Sequence, residues 1–306
     1  MDNVYRNYYR NHYLKTGGFV PTKPLSQNVY PGDFFQIKNG EMILLGNIYR
    51  NRLISPEDTV FDYGVKLNDA NWDFKDGVRK PFSRRGTGDN RIEGEFEYSK
   101  QVFEFEREGS FYFKGNNPEA IKVLNWYDIQ MELIIKLTTT QYSFREVYVV
   151  TECATVSDWT LAISSSERGQ LELASDSENS GLLELFGHGS SQTIQLNEME
   201  YFNREASRKP CFFKGKKLVV QNEKLEVFIS ELIGQRERLP EWAHDFYDYE
   251  FHNEPSYSPE VTRNAQASVL DMLQANELNP NTALMYFRWA DINLDDIEKL
   301  FLDYGA

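Results

Sequence analysis

Between Glu95 and Lys114 the chain carries two runs in which apolar and polar residues alternate, Glu95 to Glu106 and Ser110 to Lys114, with Phe96, Tyr98, Phe103, Phe105, Phe111 and Phe113 at the apolar positions. A period of two places successive side chains on opposite faces of a strand, so this stretch has to enter a sheet. The intervening Arg107-Glu108-Gly109 reads as the turn of a hairpin. Glu104 and Glu106 take the polar positions, which makes them a solvated strand face rather than a catalytic carboxylate pair.

Other segments obey the same period. Asn39-Gly40 stands between Phe34-Phe-Gln-Ile-Lys and Met42-Ile-Leu-Leu, the strongest short-range hairpin signal because that turn needs positive φ; strands are expected at about 33–38 and 41–48. Val60 to Leu67, Val147 to Thr155, Trp159 to Ser164, Leu171 to Ala174, Leu182 to Phe186 and Thr193 to Leu196 read as further strands. A last hairpin is expected over Pro210 to Val220 and Lys224 to Leu232. Pro21, Pro24, Pro31 and Gly32 mark an extended lead-in, and residues 64–94 read as a long connection. Asn117-Pro118-Glu119 is a helix start, followed by apolar residues near helical spacing from Ile121 to Leu137, the main helix.

Beyond Pro240 the periodicity changes. Ser258-Pro259-Glu260 combines a capping hydroxyl, proline at the first helical position and an acid at the positive end of the dipole. Asn279-Pro280 and Asn293 open two further helices. Charge changes at the same place. Of the net −14, residues 245–306 carry 12 acids against 3 bases, a net of −9, and leave −5 for the preceding 244 residues. The expected organisation is a strand-rich body over 1–240 and an acidic helical segment over 241–306. The fold class is α+β: a twisted, mostly antiparallel β-sheet with one main helix, plus a C-terminal helical tail.

Composition narrows the function. Net negative charge opposes general nucleic-acid binding, which needs basic surface to displace counterions. No apolar run approaches the roughly 18–20 residues that span a bilayer as a helix, and the polar, tyrosine-rich N-terminus lacks the apolar core of a secretory signal. A soluble, cytoplasmic protein is expected. Cys153 and Cys211 lack metal-ligand spacing and read as reduced structural thiols. No GxSxG elbow, phosphate loop, dinucleotide fingerprint or HExxH occurs, so no enzyme is expected and no catalytic, cofactor or metal residue is assigned. Gly187-His188-Gly189 reads as a turn. His244, Asp245, Asp248, Glu250 and His252 have metal-competent side chains, but Phe246, Tyr247, Tyr249 and Phe251 interleave them, the pattern of an acidic docking segment.

Several pieces together resemble the pore-forming domain of gasdermins, the compact bacterial type in particular, over about residues 1–235. They are Tyr13-Leu-Lys-Thr-Gly-Gly-Phe-Val-Pro21 with Tyr30-Pro-Gly-Asp-Phe34, the helix around Trp126, Tyr148-Val-Val-Thr-Glu152 and Phe212-Phe-Lys-Gly-Lys-Lys-Leu218. The resemblance implies an autoinhibited pore former of antiviral defence: an activating protease removes the C-terminal segment, and the sheet extends hairpins and forms a homo-oligomer in a membrane. The membrane-inserting candidates are Phe96, Tyr98, Phe103, Phe105, Phe111, Phe113, Ile163, Leu171 and Leu173. Arg79, Lys80, Arg84, Arg85, Lys214, Lys216 and Lys217 are candidates for contact with anionic lipid, each near-surface base contributing on the order of 1 kcal/mol. Phe246, Tyr249, Phe251, Leu273, Phe287 and Phe301 are candidates for docking the tail. The alternative is a non-enzymatic adaptor or immunity protein whose acidic tail docks a partner.

Overall fold

The computed structural model describes residues 3–67, 71–90, 94–138, 147–176, 192–220, 227 and 280–301. Every described strand pairing is antiparallel. The chain opens with α1 (Asn3–Lys15), followed by β1 (Val20–Pro21), β2 (Asp33–Lys38), β3 (Glu41–Asn47), a 3₁₀ turn (Pro56–Asp58) and β4 (Phe61–Lys66). Next come β5 (Asn71–Asp76), β6 (Val78–Asn90), β7 (Gly94–Phe105), β8 (Phe111–Asn116), β9 (Glu119–Val123) and α2 (Trp126–Thr138). Then follow β10 (Tyr148–Val156), β11 (Trp159–Ser164), β12 (Gln170–Asp176), β13 (Gln192–Asn197), β14 (Met199–Glu205) and β15 (Lys209–Val220). The C-terminal residues form α3 (Pro280–Tyr286), β16 (Phe287–Asp291), α4 (Leu294–Glu298) and a 3₁₀ turn (Lys299–Phe301).

The main sheet is organised on β10 and β15, which pair from Tyr148↔Lys217 to Val156↔Lys209. The other edge of β10 takes β2 at Tyr148–Val149 and β9 at Glu152–Thr155, while the other edge of β15 takes β1 and β16. Both faces are covered, which is why β10 reads as a nearly continuous β-branched and apolar run. Tyr148 and Val150 face a core shared with α1, β8 and β11. Val147 and Val149 face a second core closed by α2, Ala283 and Phe287. At the Asn39-Gly40 turn both residues have positive φ, 51° and 75°, as the hairpin signal requires.

Two further four-stranded layers continue one another. The lower has the order β14-β11-β8-β5 and the upper β13-β12-β7-β6. β5 runs into β6 through Gly77, and β7 into β8 through residues 106–110, so one long hairpin spans Asn71 to Asn116. β11 with β12 and β13 with β14 make a second, alongside the first in both layers.

Several sequence expectations are corrected here. β7 and β8 are not partners: β7 pairs with β6 and β8 with β5, so Arg107-Glu108-Gly109 is a bend between consecutive strands and not the turn of a hairpin. The expected connection 64–94 holds β5 and β6, whose Gly, Asn, Asp and Arg content obscured the strands. The start of the main helix is instead β9; Leu124-Asn125 breaks the chain before α2 begins at Trp126. The lead-in is preceded by a helix, and a strand lies between the two helices expected after Asn279. The expected pieces Leu182 to Phe186, Lys224 to Leu232 (apart from Val227) and the helix after Ser258 lie outside the described residues.

At the centre of the first core His12 is fully buried, stacked on Phe212 with centroids 4.7 Å apart and ringed by Trp72, Phe74 and Phe113. Its Nδ1 lies 3.0 Å from the carbonyl of Phe19, which fixes the proton on Nδ1 as donor. Burial lowers its pKa to about 3. The unfolded chain takes up a proton near pH 6.5 that the folded chain refuses until about pH 3, so stability falls as pH drops through that window. His12→Phe should flatten the dependence of unfolding free energy on pH between 6 and 4 by up to about 1.4 kcal/mol per pH unit, measured by urea titration.

Candidate functional site

The C-terminal residues 287–301 are built onto the body by backbone, charge and rings at once. β16 pairs with the outer edge of β15 from Phe287↔Val220 to Asp291↔Lys216. After it, Asn293 caps α4: its side chain accepts from the amide of Asp296, and the Asp296 carboxylate accepts from the amide of Asn293. This box aims Asp296 into the body, where it is almost fully buried and receives both bonds of Lys217 Nζ at 2.8 Å and the hydroxyl of Tyr148 at 3.2 Å. Lys216 donates to Asp291 at 2.6 Å. Trp289 Nε1 donates to Gln130 O on α2 and its ring meets Trp126 edge-on.

Other cations are held at the same end. Lys23 donates to the carbonyl of Leu300 and lies over the ring of Phe301 at 4.8 Å. Arg6 and Arg10 of α1 pair with Glu298. Lys214 lies over Phe19 at 4.3 Å and 3.8 Å from Glu152. Beside Phe301 a cleft of about 560 Å³ is lined by Tyr5, Tyr9, Leu25, Met42 and Tyr201, with Lys23 and Glu41 as its charged groups.

The second feature is the elbow where both hairpins bend. Gly77 and Gly109 take φ of +62° and +74° there, the left-handed region that favours glycine. Backbone bonds stitch the bend: Glu106 N–H to Gly77 O, Gly109 N–H to Ser164 O and Ser164 N–H to Ser110 O, each 2.9 Å. The bend also changes which face is buried. Phe103 and Phe105 lie in a cluster with Val78, Tyr112, Ala162, Leu171 and Leu173, whereas Phe111, Phe113 and Ile163 face the main core. Asp76, at the end of β5, accepts from Asn7 Nδ2 at 2.7 Å and Arg107 Nη2 at 2.6 Å. The Asn7 bond, with Arg107 adding to it, holds its carboxyl below the usual aspartate range.

Of the lipid-contact candidates, Lys214, Lys216 and Lys217 lie on β15 and are engaged as described. Arg79 pairs with Glu106 at the elbow; Arg84 and Arg85 are placed on β6 by register, and Lys80 lies in the β6 irregularity between Arg79 and Phe82. Phe96 and Tyr98 are likewise placed on β7, while Phe103, Phe105, Phe111, Phe113, Ile163, Leu171 and Leu173 are all buried. Phe287 and Phe301 pack on the two main cores. Phe246, Tyr249, Phe251 and Leu273, with the cluster from His244 to His252 and Gly187-His188-Gly189, lie outside the described residues. Cys153 and Cys211 are buried free thiols whose pKa burial pushes up to about 12, so neither is a nucleophile near neutrality. Among the described residues no three His, Cys, Asp or Glu side chains gather to hold a metal.

Sequence reasoning missed α1 and its Arg6, Asn7 and Arg10. The usable signal was Val4, Tyr8 and His12, spaced by four and all buried. Tyrosine and histidine make that stripe look polar.

The fold and site define an α+β protein in which two elbowed hairpins stand on a sheet whose basic edge is closed by the chain's own C-terminal residues. The structure is matched to the gasdermin A3 membrane pore, at 12% identity and a TM-score of 0.31, over 71% of this chain and 90% of that one. It is also matched to a bacterial gasdermin from Bradyrhizobium tropiciagri, at 10% identity and a TM-score of 0.29, over 68% and 85%. No family model and no curated protein sequence matches the chain.

The acids paired with the two β15 lysines differ in burial. Lys217→Ala leaves the buried Asp296 without its two close bonds and with only Lys299, 3.8 Å away, as counter-charge, and should cost about 3 kcal/mol. Lys216→Ala removes a bond to the largely exposed Asp291 and should cost less than about 1 kcal/mol. Urea unfolding of the two variants checks the difference.

Proposed function

We propose that this protein is an autoinhibited, gasdermin-like pore former whose hairpins insert into a membrane as a homo-oligomer once proteolysis between about Leu239 and Pro259 frees the C-terminal segment. The observation that carries the reading is the pair of long hairpins lying side by side above one elbow. β6 and β7 have 13 and 12 residues, and a tilted strand crosses a bilayer with about 9–11. Antiparallel hairpins are also the units from which a closed barrel satisfies its backbone in lipid. No described helix is long and apolar enough to cross.

Two features support autoinhibition. The buried positions Phe103, Phe105, Leu171 and Leu173 fill a cluster separate from the two main cores, so the upper layer can leave without opening either. The acidic segment occupies Lys216 and Lys217, bases suited to anionic lipid. Release breaks the β16 pairing, the buried Lys217–Asp296 pair and the surface pairs to Asp291 and Glu298, withdraws Phe287 and Phe301 from the two main cores, and uncovers the bases.

The test is dye leakage from vesicles rich in anionic phospholipid, using the full chain with a specific protease site inserted between Leu239 and Pro259. Intact protein should leave the vesicles tight and cleavage should start leakage. Cleaved protein that detaches its C-terminal segment yet releases no dye would sink the proposal.

A further inference from the structure

Helix α1 touches both features, and with opposite sides. Residues two apart on a helix are about 200° apart, so the stripe Val4, Asn7, Tyr8, Asn11 and the stripe Arg6, Tyr9, Arg10, Tyr13 point in opposite directions. The first stripe is seated on the elbow. Asn7 Nδ2 donates both to Asp76 Oδ2 at 2.7 Å and to the carbonyl of Gly109 at 3.1 Å. Asn11 Nδ2 donates to Asn7 Oδ1 at 2.9 Å, so the amide of Asn7 is held with its donors toward the bend. Gly109 lies so close that a Cβ there would be 3.1 Å from the carbonyl oxygen of Val4. Tyr8 meets Phe111, the first residue of β8, edge-on with centroids 5.5 Å apart.

The second stripe is seated on the C-terminal residues. Arg6 and Arg10 share Glu298, Tyr9 meets Phe301 edge-on at 5.1 Å, and the Tyr13 hydroxyl donates to Ile292 O at 3.1 Å. We infer that α1 is a latch that transmits the presence of the C-terminal segment to the elbow: the segment holds one side of the helix and the helix pins Asp76 and Gly109 with the other. The inference rests on the reading of residues 280–301 as the inhibitory element. A 13-residue helix is near the length at which helices are marginal without packing. Removing the partners of one stripe therefore weakens the hold of the other, although among the described residues none of the C-terminal segment is bonded to Asp76 or Gly109.

Amide hydrogen exchange in the full, uncut chain tests the latch, read at Gly109 and Ser164, whose N–H groups cross the elbow. Asn7→Ala should speed exchange at both by about tenfold. The double variant Glu298→Ala with Tyr13→Phe, which alters only the outer stripe and its contacts, should speed the same amides by a similar factor. Lys216→Ala, which loosens the C-terminal segment where it does not touch α1, should leave them unchanged. The latch is refuted if the double variant leaves these amides at the parental rate, if Asn7→Ala does so, or if Lys216→Ala accelerates them equally. Exchange and vesicle leakage separate the two ideas. Coupled exchange without leakage on cleavage removes the pore reading and keeps the latch, and leakage with uncoupled exchange does the reverse.

Discussion

The pairing of β10 with β15 is the constraint from which the rest of the molecule hangs. Each strand is longer than its neighbours need, and each divides its free edge between two further strands: β2 and β9 on β10, β1 and β16 on β15. Because both faces of this pair are packed, every layer is positioned from it. α1 and the lower hairpin layer are stacked on one face, α2 and α3 on the other. Register is accordingly pinned: a slip by one residue would exchange Tyr148 and Val150 with Val147 and Val149 between two cores of different shape.

The same pair explains why the C-terminal residues matter. An open strand edge presents unpaired donors and acceptors to any other chain. β16 closes part of the β15 edge, and Asp291 at its end and Asp296 beyond it neutralise Lys216 and Lys217. Closure, charge pairing and aromatic packing fall on the same fifteen or so residues, so they are gained or lost together. The buried bond of Lys217 to Asp296 makes the arrangement specific, since it requires the capping box at Asn293 to aim the carboxylate. The elbow is where that closure has leverage, because α1 lies between the two.

Much of the strand content was legible. β2 and β3 follow from Asn39-Gly40, and β10, β11 and β12 from their β-branched and apolar runs. β5 and β6 were hidden by Gly, Asn, Asp and Arg, and were decided by having β8 and β7 to pair with. β9 looked helical because Ile121 and Leu124 fit that spacing, but its amides are taken by β10 and β4. β16 has only five residues, too few for a period to declare itself. Of the site, Lys214, Lys216 and Lys217 stood out as a basic cluster and the acidic character of the tail as its complement. Asn7, Asp76 and Gly109 did not, since each is unremarkable in its own segment.

The sequence alone determined that this chain builds a largely antiparallel α+β fold with an acidic C-terminal end, because alternation, turn chemistry and charge are local properties. Only the tertiary structure decided that the aromatic run from Phe103 to Phe113 serves two different cores. Parity is unbroken along the sequence there, but the bend through Glu106 to Ser110 turns the strand over. Tertiary structure also decided that Lys217 meets Asp296 and that Asn7 meets Asp76, pairs 79 and 69 residues apart. No local preference can specify contacts at that separation; the first follows from the pairing of β16 with β15, the second from the packing of α1 against the layer that holds β5 and β8.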